Sequence, residues 1–242
     1  MRFIIFSDVH SNLEAIQSFC QITDSILHDK KVCLGDIVGY NADPNPVVKW
    51  VREEVDLILA GNHDRCVSNK KNSSYLNPAA YQACAWTRRN LTQSNLDFLN
   101  TLPIEKEEED IYWVHSSPFE PEKWHYVSTK KSAEKNFNFF KQDICFLGHS
   151  HLPGIFEKDK NNNVRSHDSC KMKLDPESRY IINVGSLGQP RDGNPDPVYV
   201  LYDSLSHIVE FCRFSYNLLS TQQKIIALGL PSSLSDRLSF GQ

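Results

Sequence analysis

Five short apolar runs in this chain each stop at residues that bind metals. Phe3-Ile4-Ile5-Phe6 stops before Asp8-Val9-His10, and Val32-Cys33-Leu34 before Gly35-Asp36. Leu57-Ile58-Leu59-Ala60 stops before Gly61-Asn62-His63-Asp64, Ile111-Tyr112-Trp113-Val114 before His115, and Ile144-Cys145-Phe146-Leu147 before Gly148-His149-Ser150-His151. Apolar runs of this length closed by Gly or a polar residue read as buried strands. In a sheet of α/β type, sites form outside the carboxyl ends of the strands. Five polar islands scattered over the sequence are therefore expected on one rim, as a polynuclear metal centre.

The rest of the chain supplies elements to match. Helical spacing of Leu13, Ile16, Phe19, Ile22 and Ile26 follows the first strand, with Ser11 as N-cap and Glu14 completing a capping box. Strand, helix and strand recur over 32–60, with a short helix after Pro46, which implies parallel strands. Pro78 opens a helix through Leu91, and Ser94 is expected to cap another. The second half turns to strands at about 111–115, 144–148, 154–158, 179–184, 197–203 and 207–213. Asn161-Asn162-Asn163 reads as a hairpin tip and 188–197 as a Pro- and Gly-rich loop. The acidic run from Glu105 to Asp110 reads as a solvated turn. From Asn217 the tail is helical, broken at Gly229 and Pro231. The length of 242 residues suits one large α/β domain, residues 1–242, including that tail.

Composition narrows the function classes. A net charge of -4 and a pI near 6.1 give no basic footprint for a nucleic-acid duplex. The seven cysteines form no CxxC pair, which fits a reducing cytoplasm rather than a disulfide framework. The N-terminal apolar run is too short for a signal peptide, and no segment has the length of a membrane span. The expected location is cytoplasmic, and a homo-oligomer is left open.

The donor set is Asp8, His10, Asp36, Asn62, His115, His149 and His151. Asp8 and His10, two apart at a strand end, are expected to point the same way, and so are His149 and His151. Asp36 has two oxygens and can bridge two cations. Nitrogen and oxygen donors without thiolate suit Mn, Fe, Zn, Co or Ni better than Ca or Mg. His28, His125, His167 and His207 read as ordinary histidines; His167 has Asp168 and Cys170 nearby, but it sits near an expected hairpin and is set aside as a metal site.

DxH, GD, GNHD, a lone His and GHxH, in this order, resemble the calcineurin-like metallophosphoesterases. The resemblance runs from Asp8 to His151. It implies a four-layer α/β/β/α sandwich of two mixed sheets flanked by helices. It assigns Asp8, His10, Asp36 and His151 to a first metal, and Asp36, Asn62, His115 and His149 to a second. It gives His63 the catalytic role at the leaving group, with Asp64 orienting it. GDIVGYNADPNP at 35–46, HSSPFEP at 115–121, NVGSLGQPRDGN at 183–194 and ALGLPSSL at 227–234 look like the small bacterial and archaeal stand-alone phosphoesterases, often labelled diadenosine-tetraphosphatase-like or YfcE-like. Tyr40 stands where the wider family often has a second acid, which sets the chain apart from the protein phosphatases.

The resulting expectation is a phosphohydrolase with two divalent transition metal ions, Mn foremost. It would cleave small phosphomonoesters or phosphodiesters by attack of a metal-bridging hydroxide. The Pro-rich segments 41–46 and 188–197 would border the pocket. Arg191 and Tyr40 are the candidates for holding substrate, although Arg191 reads equally well as a salt-bridge partner of Asp192 or Asp196. The rival readings are a non-catalytic scaffold on the same fold, which the intact ligand set disfavours, and a nuclease, which would need a basic capping domain.

Overall fold

The computed structural model describes residues 1–69, 76–108 and 110–242. Two six-stranded mixed sheets pack face to face. The first contains β1 (Arg2–Phe6), β2 (Lys30–Cys33), β3 (Leu57–Ile58), β9 (Lys171–Lys173), β11 (Val198–Asp203) and β12 (Ile208–Arg213), in the order β3-β2-β1-β11-β12-β9. The second contains β4 (Glu105–Glu107), β5 (Ile111–Val114), β6 (Ile144–Leu147), β7 (Gly154–Lys158), β8 (Val164–His167) and β10 (Arg179–Asn183), in the order β4-β5-β6-β10-β7-β8. β1, β2 and β3 run parallel, as do β5, β6 and β10; the remaining pairings are antiparallel.

Strand alternation builds the layers. Phe3 and Ile5 of β1 meet Trp113, Phe146, Ile182 and Val200 between the sheets. Ile4 and Phe6, on the other face, pack under the helices α1 (Leu13–Thr23) and α2 (Pro44–Glu54) with Ile16, Phe19 and Val48. Tyr112, Val114, Cys145 and Leu147 face outward from the second sheet against Ala133 and Phe137, beside α6 (Lys130–Asn136). Period-2 side chains on each strand thus serve two apolar contacts at once, so the runs are continuous rather than alternating. The arrangement is the expected α/β/β/α sandwich.

A third group of helices closes one end. α3 (Asn62–Ser68), α4 (Pro78–Asn90) and α5 (Gln93–Thr101) follow β3. The tail supplies α7 (Leu218–Ala227) and α8 (Ser232–Asp236), separated at Gly229 and Pro231. Lys224 of α7 pairs with Glu14 at 2.6 Å and Asp43 at 2.7 Å, tying the tail to α1 and to the start of α2.

Several local expectations are corrected. The N-cap of α1 is Asn12, whose Oδ1 accepts from Ala15 N at 3.1 Å. Ser11 is in the left-handed region (φ 57°), so its hydroxyl turns away from the helix and has no hydrogen-bond partner. Glu14 therefore serves Lys224 and Thr221 rather than a capping box. Thr92 caps α5, while Ser94 sits inside its first turn and accepts from Arg52. The acidic stretch starts as a strand, because Glu105–Glu107 pairs along the open edge of β5; residue 109 lies outside the described set. The 161–163 segment is a hairpin tip between β7 and β8, with Asn162 at φ 64°. All seven cysteines are free thiols. No helix among the described residues is long and apolar enough to cross a membrane.

Candidate metal centre

The islands do converge beyond the carboxyl ends of β1, β2, β3, β5 and β6, but not by strand geometry. β1 ends at Phe6. Asp8 (φ 55°), His10 (φ 49°), Asp36 (φ 51°), His149 (φ 65°) and His151 (φ 60°) all adopt left-handed backbone. Asp and His tolerate that region better than most residues do. Each such residue bends its loop back over the strand end, which aims the two ligands of a pair into one space without extended alternation. The loops are laced together by Asp8 N to Gly35 O and His10 N to Asp36 O, both 2.9 Å, and by Gly188 N to Asp8 O, also 2.9 Å. Gly35 (φ 105°) is required where the loops touch, since a Cβ there would lie 2.5 Å from Gly61 N.

Two donor clusters result. Asp8, His10, Asp36 and His151 form one; Asp36, His115 and His149 form the other. All are buried. Asp36 Oδ2 lies 3.6 Å from His10 Nε2 and 3.5 Å from His115 Nε2, so one oxygen faces both clusters. Its Oδ1 accepts from His63 N at 2.8 Å. Asn62 Oδ1 is 3.3 Å from His115 Nε2 and joins the second cluster.

Main-chain carbonyls set the ring orientations. His10 Nδ1 donates to Val38 O (3.1 Å), His115 Nδ1 to Leu34 O (2.8 Å) and His151 Nδ1 to Gln189 O (2.5 Å). In neutral rings this leaves Nε2 bare. His149 is reversed: Nε2 donates to Trp124 O at 2.9 Å and leaves Nδ1 bare. The bare Nε2 atoms of His10 and His151 then face each other at 3.2 Å. Asp8 Oδ1, buried and without a hydrogen bond, is 3.3 Å from His151 Nε2. Three lone pairs aimed at one point repel unless a cation takes them up. Donors bound at about 2.1 Å to a common ion lie roughly 3.0–3.4 Å apart for octahedral or tetrahedral angles. The residues fit a metal in each cluster.

Charge follows the same lines. Burial alone would raise the Asp36 carboxyl, but the His115 and His63 rings outweigh it and hold it well below the ordinary value. Burial would lower His115; Asp36 overrides it and pushes His115 up to about 9. Burial dominates at His149, pushed down to about 3, and at His63, pushed down to about 4.

His63 stands beside the clusters without joining either. Its ring is edge-on to His10 at 4.8 Å and 4.5 Å from the Tyr40 ring. Its Nδ1 lies 3.3 Å from Cys84 Sγ, while Nε2 has no hydrogen-bond partner among the described residues. Among the described residues no hydrogen bond joins the Asp64 carboxylate to the His63 ring. The Asp64 carboxylate instead accepts from the N–H groups of Gly61 (2.9 Å), Ile37 (3.2 Å) and Val38 (3.1 Å), because a residue in the first turn of α3 points back over the helix start. Burial, and then the Asp36 charge, push Asp64 up to about 7.

A cavity of about 190 Å³ opens over these residues. Asp36, Asn62, His63, His149 and His151 line its floor, and Tyr40, Arg191, Trp124, Tyr126 and Arg237 its walls. Arg191 donates to Tyr40 OH at 3.2 Å and Gln189 Oε1 at 3.0 Å, while Asp192 pairs with Arg213. The salt-bridge reading of Arg191 is thereby replaced. Among the described residues, none of 41–46 lines the cavity, since Pro44 already begins α2. Sequence reasoning missed Trp124, Tyr126, Cys84 and Arg237. HSSPFEP ends three residues before Trp124, and no pattern marked the other three.

A model of the calcineurin-like phosphoesterase superfamily domain matches residues 1–206. The chain belongs to this superfamily. It is 36% identical over 242 residues to an uncharacterized protein of Methanocaldococcus jannaschii, covering 98% of this chain and 97% of that one. It is similar to the crystal structure of a metallophosphoesterase from Sphaerobacter thermophilus, with 35% identity, a TM-score of 0.88, and 100% and 99% of the two chains covered. A putative diadenosine tetraphosphatase shares the fold at 14% identity and a TM-score of 0.54, over 89% and 94% of the chains. The two donor clusters therefore belong to a calcineurin-like fold that supports metal-dependent hydrolysis.

Proposed function

We propose that this protein is a phosphohydrolase that cleaves small phosphomonoesters or phosphodiesters with two divalent transition metal ions, Mn foremost. The observation that carries this reading is the shared Asp36 oxygen between two buried donor clusters under a small cavity. The subgroup of small stand-alone phosphoesterases belongs to the same proposal.

The geometry supports a division of labour among these residues. Asp8, His10, Asp36 and His151 would hold one ion; Asp36, Asn62, His115 and His149 would hold the other. Bound there, the ions supply positive charge to phosphoryl oxygens and acidify water. Arg191 faces the same cavity and adds positive charge that favours an anionic ester there. His63 presents Nε2 to the leaving oxygen. Burial keeps it neutral until a phosphoryl anion sits beside it, and that negative charge then favours the imidazolium a general acid needs. Asp64 fixes the loop around His63 through the backbone rather than touching its ring. The cavity is smaller than the ~300 Å³ of an ordinary ligand pocket, which favours compact esters over phosphoproteins. A net charge of -4 gives no long-range attraction for a DNA duplex.

Turnover of bis(p-nitrophenyl) phosphate and p-nitrophenyl phosphate with added Mn tests the proposal. The expected result is hydrolysis abolished by EDTA and restored by Mn. No turnover of these or of a wider ester panel at any metal loading would refute it in favour of a binding scaffold.

A further inference from the structure

A second guanidinium reaches the cavity from the far end of the chain. Arg237, just after α8, lines the cavity with Arg191. The Arg191 Cζ lies 5.6 Å from the Tyr40 ring centroid and the Arg237 Cζ 5.9 Å from the same centroid. No Asp or Glu side chain pairs with either cation among the described residues. Arg191 bonds Tyr40 OH and Gln189, and its buried Nε has no partner. Among the described residues Arg237 hydrogen-bonds the backbone oxygen of Gln242 through Nε, which leaves its terminal nitrogens for a further partner. Burial first, and the nearby Arg191 charge second, lower the Arg237 pKa.

The placement is built rather than incidental. Leu234 and Leu238 flank Arg237 and are buried with Tyr40, Ala80, Ala83 and Ile225. Gly193 N donates to Gly241 O at 3.0 Å, and a Cβ at Gly241 would lie 2.5 Å from Asn194 O. The chain end is thus pinned to the loop that carries Arg191. Two separate elements bring like charges onto one tyrosine, at a cost that a bound anion would remove.

The anion they suit is not the one at the metal clusters. The Tyr40 ring stands 4.5 Å from both the His10 and His63 rings, with the guanidiniums packed around it. The cations therefore address a part of the substrate displaced from the metal donors by about one ring. We propose that Arg191 and Arg237 form a second anion subsite, and that the natural substrate carries a second anionic group, phosphate foremost, next to the scissile phosphoryl group. This rests on the phosphohydrolase reading and narrows it to compact esters or anhydrides with two anionic groups.

Calorimetric titration of the Mn-loaded full chain separates the two claims, because it reads binding rather than turnover. The probes are methylphosphonate, phosphonoacetate and methylenebisphosphonate, all at saturating Mn so that chelation is equal across variants. The wild type should bind methylenebisphosphonate at least 30-fold more tightly than methylphosphonate, with phosphonoacetate between them. Arg237→Gln should cut that ratio at least tenfold, and Arg237→Lys by less, with melting temperature reporting that each variant is folded. Phosphonoacetate binding as tightly as the bisphosphonate would make a carboxylate the second group. A ratio near one in the wild type, or a ratio unmoved in Arg237→Gln, would overturn the subsite while leaving the metal site intact. No binding of any phosphonate by the wild type would overturn the underlying hydrolase reading as well.

Discussion

Asp36 is the residue on which both clusters depend, because its Oδ2 lies 3.6 Å from a donor of one and 3.5 Å from a donor of the other. Asp36→Ala should therefore lose both ions, and Asn62→Ala should lose chiefly the second. Elemental analysis after Mn reconstitution should give well under one ion per chain for the first variant and about one for the second. Equal losses would show that Asp36 does not bridge. His63→Ala should keep its metal and fall roughly 10²–10⁴-fold in rate, the usual worth of a general acid. The loss should shrink for p-nitrophenyl esters, whose leaving group needs little protonation; metal loss in parallel with activity would make His63 a ligand. Metal-free His115 titrates at about 9, raised from 6.5. A cation at the second cluster must displace that proton, so affinity should rise with pH up to about 9 and level off above it. A competition titration against a chromophoric chelator reads this directly, and a flat profile would contradict it. The residues of the two donor clusters were legible as polar islands closing apolar runs. Their aim was not, because it comes from left-handed turns such as Asp8 and His151 that no side-chain pattern announces. Arg237 was invisible for another reason: only folding brings the chain end beside Tyr40.

At the level of elements, the loops hold the ligands through close backbone contact. Gly188 packs against the Val9 carbonyl oxygen, where a Cβ would overlap it, and donates to Asp8 O. Gly188→Ala should push the Asp8–His10 loop off the first cluster and destabilise the fold by about 1–3 kcal/mol. Gly154→Ala, where a Cβ meets nothing within 4 Å, should stay within about 0.5 kcal/mol of wild type. Denaturant unfolding with and without Mn compares the two; equal effects would remove the loop-contact argument. Continuous apolar runs such as Ile144–Leu147 were readable as strands because both of their faces are buried. β9 (Lys171–Lys173) was not, since it is short, charged and held only along β12. The helix starts at Asn12 and Thr92 slipped by one or two residues for the same kind of reason: capping depends on backbone angles, and Ser11 has the right side chain in the wrong conformation.

Across the whole molecule, the two facing sheets place five polar loop ends on one rim while the apolar side chains fill three layers of contact. The sandwich followed from the order of the ligand islands more than from strand counting, because the edge strands β4, β8 and β9 carry too little hydrophobic pattern to be read. The tail adds a wall to the same cavity through Arg237, which ties the end of the chain to the chemistry begun at Asp8. The central claim is that this rim holds two cations sharing Asp36. Anomalous diffraction from crystals of the Mn-loaded protein tests it most directly. Two peaks about 3.5–4 Å apart on either side of Asp36 are the expected result. A single peak, or peaks away from Asp36, would contradict it.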